Sequence, residues 1–217
     1  MRDYIPDPVS EAEWTIAAFL DALEGEAETS PLVRQLRNEL DAQYVSYESK
    51  YHSWLPDEAA RYALRQAVAV LSAYRLCEKV VSKPRLLAIL RRCFVEPLRE
   101  AVRSATARQL DASQDPFAEI VGIAKLRERS VFGGSFQFEQ RRDDNQACYL
   151  DVVRCLWHSV FVAEGCPELT PIFCAFDNNW IEAIDPDKHG VRFERAVTLG
   201  TGGSLCPFHF FRLRRDP

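Results

Sequence analysis

Along the first half of the chain, apolar residues recur every three or four positions, the spacing of helices with one buried face. Trp14, Ala17, Ala18, Leu20 and Leu23 follow Ser10-Glu11-Ala12-Glu13, whose serine and glutamate have the spacing of a capping box. Gly25 is placed to end that helix in the left-handed conformation. Ser30-Pro31 offers an N-cap with proline at the first helical position, and Leu32, Leu36, Leu40 and Tyr44 continue at intervals of four. Asp57-Glu58 opens a third helix, whose alanines (Ala59, Ala60, Ala63, Ala67, Ala69 and Ala73) suit close helix packing. Leu86, Leu90, Phe94, Leu98 and Val102 form the stripe of a fourth, with Pro97 expected to bend it.

After Gly133-Gly134 the period changes. Phe136 and Phe138 alternate with Gln137 and Glu139, and Asp143-Asp144-Asn145 reads as a hairpin turn. A second strand alternates Cys148, Leu150 and Val152 with Tyr149, Asp151 and Val153. A short helix over 157–163 ends at Gly165. Pro167 is expected to open a helix running to about Ile184, where Asp185-Pro186 stops it. Strands follow over 191–197 and 206–211, joined by a glycine turn at Gly200, Gly202 and Gly203. The expected class is α+β: a helical region over 1–130 packed beside a small, about four-stranded antiparallel sheet with one or two helices over 131–217, both parts in one globular unit.

The chain has 217 residues, 27% of them charged, which excludes global disorder. No apolar run approaches the roughly 20 residues that span a bilayer, and Met1 to Pro6 do not read as a secretory signal, so a cytoplasmic protein without membrane contact is expected. The net charge of -5 argues against nucleic acid. Residues 57–110 nevertheless hold eleven bases and five acids, and residues 1–30 hold eight acids and one arginine. A solvated or salt-bridged helix face explains this as well as an acidic partner does, and no aromatics interleave with the arginines to make a stacking platform. A homodimer through the helical half is a possible assembly.

Of seven cysteines, five (Cys148, Cys155, Cys166, Cys174 and Cys206) crowd the C-terminal part. Cys155, Gly165-Cys166-Pro167-Glu168-Leu169, Cys174-Ala175-Phe176-Asp177, Phe193-Glu194-Arg195, Thr198-Leu199-Gly200 and Cys206-Pro207-Phe208 occur in an ordered set. This set resembles the L-2-amino-thiazoline-4-carboxylic acid hydrolase family. The resemblance covers about residues 145–213 and implies an enzyme that hydrolytically opens a small cyclic amidine-like ring. Two departures bear on the substrate: Ser204-Leu205 stand where members often carry an acid or histidine, and Asp177-Asn178-Asn179-Trp180 is not the commonest run after that aspartate.

Opening a 2-aminothiazoline needs a nucleophile at the ring carbon between nitrogen and sulfur, and a proton donor for the leaving atom. Cys206, after a glycine loop and at the start of a strand, is the expected nucleophile or thiol acid; packing against Phe208 and Phe210 is its plain alternative. Cys174 and Asp177, three apart on one helix, share a face. Asp177 is expected either to handle the proton or to pair with an arginine such as Arg195, itself a candidate carboxylate clamp. Cys155 and His158, one helical turn apart, and Trp180, a possible wall for a planar ring, complete the expected pocket. His209 alternates away from Cys206. The cysteine gaps contain no C-x-x-C pair, so neither metal nor other cofactor is expected. The same residues leave two alternatives open: a biosynthetic cyclase, isomerase or dehydratase, and a non-catalytic ligand- or metal-sensing domain.

Overall fold

The computed structural model describes residues 7–213. Four long helices come first: α1 (Pro8–Glu24), α2 (Ser30–Lys50), α3 (Glu58–Cys77) and α4 (Lys83–Ala112). α1 starts earlier than the capping-box pattern suggests. Asp7 is the N-cap, accepting from the Val9 and Ser10 amides, and Pro8 stands where a missing N–H costs nothing. Gly25 stays right-handed, with φ -73°, rather than adopting the expected left-handed turn. α3 carries the densest packing. Leu64, Ala67, Val68, Val70, Leu71 and Ala73 have no accessible surface, because alanines let α1, α2 and α4 approach closely.

α4 runs through Pro97 for 30 residues. Its stripe buries Leu86, Leu90, Phe94 and Leu98, whereas Val102 remains partly exposed. The acidic and basic segments meet here. Arg85 binds Glu28 (2.8 Å) and Arg92 binds Glu26 (2.6 Å), so two arginines of α4 are answered by acids that follow α1.

A fifth helix, α5 (Pro116–Arg127), was not singled out by the hydrophobic pattern. It is capped by Asp115, buries Phe117, Ile120 and Val121, and passes into a π-helical turn over Glu128–Phe132. Gly133 then takes φ +65°; a Cβ there would lie 2.4 Å from Asp57 Oδ1. Asp57 thus both caps α3, through the Ala60 amide, and receives the Gly134 amide at 2.7 Å.

The sheet contains β1 (Gln137–Asp143), β2 (Ala147–Arg154), β3 (Val191–Glu194) and β4 (Cys206–Arg212), ordered β1-β2-β4-β3 and antiparallel throughout. Val152 pairs with Cys206, Leu150 with Phe208 and Cys148 with Phe210, which puts these residues on the face turned toward the helices. The opposite face carries Tyr149, Asp151, His209 and Phe211.

Between β2 and β3 lie α6 (Leu156–Ala163), α7 (Thr170–Phe176), α8 (Asn178–Ile181) and α9 (Pro186–His189). The single helix expected from Pro167 to Ile184 is instead a 3-10 turn over Pro167–Leu169, then α7, then α8. Asparagines hold helices weakly, and here their side chains have other partners. Asn178 Oδ1 accepts from Arg195, and fully buried Asn179 donates to the Val95 carbonyl of α4 (3.1 Å). β3 is three residues shorter than expected because the chain turns at Arg195, whose side chain reaches α7. One apolar core runs from Phe19 and Leu71 to Val152, Phe173 and Cys206, joining the helical part to the sheet.

Candidate active site

Three structural ends meet near Cys206. β2 finishes at Arg154, so Cys155 becomes the N-cap of α6. Burial raises the Cys155 thiol, and the backbone at the start of α6 pulls it the other way. α7 supplies Cys174, one residue from its middle, and Asp177 directly after its end. The turn before β4 supplies an amide, Leu199 N–H, which donates to Cys206 Sγ at 3.2 Å, and its Gly200 lies against Cys174. The three thiols lie close enough that ionising one disfavours ionising the others.

Asp177 is held from two sides. Arg195 Nη1 donates to Oδ2 at 2.5 Å, and Trp180 Nε1 donates to Oδ1 at a longer 3.4 Å. Arg195 also donates through Nη2 to the Cys174 carbonyl (2.9 Å) and to Asn178 Oδ1 (3.2 Å), and its guanidinium stacks 5.3 Å over Phe208. Trp180 stacks on Phe208 and meets Phe193 edge-on. The structure therefore brings together Cys155, Cys174, Asp177, Trp180, Arg195 and Cys206. The His158 imidazole has Nδ1 3.1 Å from Oγ1 of Thr170, a residue that lies beside Gly200.

Electrostatics follow burial. It pushes the Cys206 thiol up to about 11, with the Leu199 amide pulling the other way. Cys174 and, more strongly, Cys155 are raised for the same reason. Burial also lifts the Asp177 carboxyl above the ordinary carboxylate range, against the pull of Arg195. The Asp177 side chain keeps 27% of its accessible surface. Burial lowers the His158 imidazole. At neutral pH the free site thus presents thiols rather than thiolates.

Among the described residues, no three His, Cys, Asp or Glu side chains are placed to share a metal ion. Two surface clefts lie elsewhere, along α5 and beside Arg212, and neither includes the thiols. The residues that motif reading left without a role are Thr198, Leu199, Gly200 and Asn178. The first three stand in the Thr198-Leu199-Gly200 motif, but their contribution comes largely from backbone amides, which carry no side-chain signature.

A thiol-and-carboxylate site walled by Trp180 and Phe208, between short helices and one face of an antiparallel sheet, defines a small α+β protein with an enzyme-like centre. The chain matches the family model described as L-2-amino-thiazoline-4-carboxylic acid hydrolase over residues 62–210 and belongs to that family. The match starts within α3 and ends within β4, leaving α1 and α2 outside it. No curated protein and no solved structure matches the chain. No described helix is long and apolar enough to cross a membrane.

Proposed function

We propose that the protein is a hydrolase that opens a small cyclic amidine or thiazoline ring, of the kind found in 2-aminothiazoline-4-carboxylate. The observation that carries this reading is the convergence of Cys206, Cys174 and Cys155 with the Asp177 carboxylate beside an aromatic wall. Arg195, occupied by Asp177, Cys174 and Asn178, acts here as the partner that keeps Asp177 ionised.

A protonated amidine is planar, cationic and electrophilic at its central carbon. Its charge offsets the desolvation that holds Cys206 as a thiol, and Asp177 has exposed carboxylate surface for the amino group. Cys206 loses its proton to the carboxylate, and its sulfur forms a bond to the ring carbon. The electrons of the carbon–nitrogen double bond move to nitrogen. The ring carbon–sulfur or carbon–nitrogen bond then breaks, and the departing atom takes the proton held by Asp177. Water adds to the same carbon and releases Cys206 as a thiol, so the net change is addition of one water. Trp180 and Phe208 stack the planar ring, while Cys174 and Cys155 line the recess.

The test is turnover of 2-aminothiazoline-4-carboxylate, followed by loss of the ring chromophore and mass of the product. Turnover by the native chain, abolished in Cys206→Ala with an unchanged circular dichroism spectrum, supports the reading. Undiminished turnover in that variant removes Cys206 from the reaction.

A further inference from the structure

The turn that precedes β4 does more than connect two strands. Thr198 is its N-cap, extended at φ -136° and ψ 163°. The Thr198 amide donates to Thr201 Oγ1 at 2.9 Å, and the two hydroxyls lie 3.2 Å apart, so the turn is locked from within. The Leu199 amide points at sulfur, donating to Cys206 Sγ at 3.2 Å, and Gly200 lies against Cys174. Position 200 has no room for a side chain. A Cβ there would stand 2.9 Å from Thr170 Cγ2, 3.0 Å from Pro171 N and 3.1 Å from Cys174 Sγ. Glycine is therefore what lets the turn close onto α7. A backbone amide aimed at sulfur favours negative charge there.

We infer that the Thr198–Thr201 turn is a positioning element for the reacting sulfur, its Leu199 amide fixing and stabilising Cys206 while Gly200 seats the turn against Cys174. Calling Cys206 the reacting sulfur rests on the function proposed above; the amide's action on Cys206 does not. The turn's own amides, rather than a histidine or lysine, then favour the thiolate when substrate arrives.

The local geometry allows a direct test. Leu199 is the first residue of the 3-10 turn, a position that accepts proline, and extended Thr198 suits the residue before one. Leu199→Pro removes the single amide hydrogen; Leu199→Ala removes the side chain but keeps the amide. The rate of iodoacetamide labelling at Cys206 is read at pH 9 by peptide mass spectrometry. Labelling in Leu199→Pro is expected to fall roughly tenfold below Leu199→Ala, the scale of one lost hydrogen bond to a charged group. A second pair covers the case in which the proline variant does not fold. Thr201 is exposed, and Thr201→Val unlocks the turn whereas Thr201→Ser retains the hydroxyl. The valine variant is expected to label about threefold more slowly than the serine variant, the change of a weakened rather than a lost bond. Equal or faster labelling in the proline and valine variants overturns the inference. If Cys206→Ala keeps turnover, the functional reading fails, but the labelling ratios still decide what the turn does to Cys206.

Discussion

Cysteines in the two parts of the protein differ in their surroundings more than in the direction burial shifts them. Cys77 and Cys93 sit in the packing of α3 and α4, where Cys77 feels desolvation alone and Cys93 adds only the opposed charges of Glu26 and Arg92. Burial raises Cys155, Cys174 and Cys206 too, but these three lie close to one another, and Cys206 receives the Leu199 amide. Burial alone therefore does not distinguish Cys206; an amide aimed at its sulfur does, and it arises where an element ends, in the turn before β4.

The contrast can be tested on both sides. The largest effect is expected at the carboxylate. Asp177→Asn should lower turnover about 10²–10⁴-fold, the range for loss of a positioned acid or base, while Cys93→Ala leaves turnover unchanged. The acid limb of kcat/KM in the native chain should lie above the ordinary carboxylate range, because burial raises Asp177, and should vanish in the asparagine variant. Equal turnover in Asp177→Asn and Cys93→Ala would erase the distinction between the two parts.

Next comes the helical core. Leu64 has no accessible surface, so Leu64→Ala should cost about 2–5 kcal/mol in urea unfolding. The ratio of labelling at Cys206 between native and variant, under folded conditions, should remain near one.

Alkaline pH gives a third, smaller difference. Cys206 and Cys93 are both pushed up to about 11 by burial, so the folded chain holds protons that the unfolded chain releases at lower pH. Their contribution to stability is complete below the unfolded thiol range and is lost as pH rises through about 11. Each thiol contributes a slope of at most about 1.4 kcal/mol per pH unit in that window. Removing either one should flatten the stability curve between pH 9 and 11; only Cys206→Ala should also remove activity.

Trp180→Phe keeps the aromatic wall but loses the 3.4 Å bond to Asp177, and a decrease of a few-fold in turnover is expected. The smallest effect is at Arg37, which spans Asp21 and Glu24 at the surface. Arg37→Ala should change unfolding free energy by no more than about 1 kcal/mol.

Much of the fold was legible because periodicity reports burial. The stripes Leu36-Leu40-Tyr44 and Leu86-Leu90-Phe94 lie in the core, and the alternation from Cys148 to Val152 matches a strand with one helix-facing side. α5 was missed because its apolar residues do not gather on one face, although Asp115-Pro116 carried a start signal. The long helix over 167–184 was misread because an apolar pattern does not reveal that Asn178 and Asn179 bind groups distant in sequence. In the site, Cys206, Cys174 and Asp177 stood out through residue type and motif order, and the pairing of Asp177 with Arg195 was one of two readings left open.

Residue type and spacing by themselves established an α+β chain, its helical stripes and its strand alternation. These depend on short-range geometry, 3.6 residues per helical turn and two per strand repeat, which is written in neighbouring positions. Only the tertiary structure decided that Arg195 holds Asp177, that acids following α1 answer two arginines of α4, and that the Leu199 amide meets the Cys206 sulfur. Those contacts join elements whose relative placement depends on how the whole core packs, and no local pattern encodes the direction of a backbone N–H.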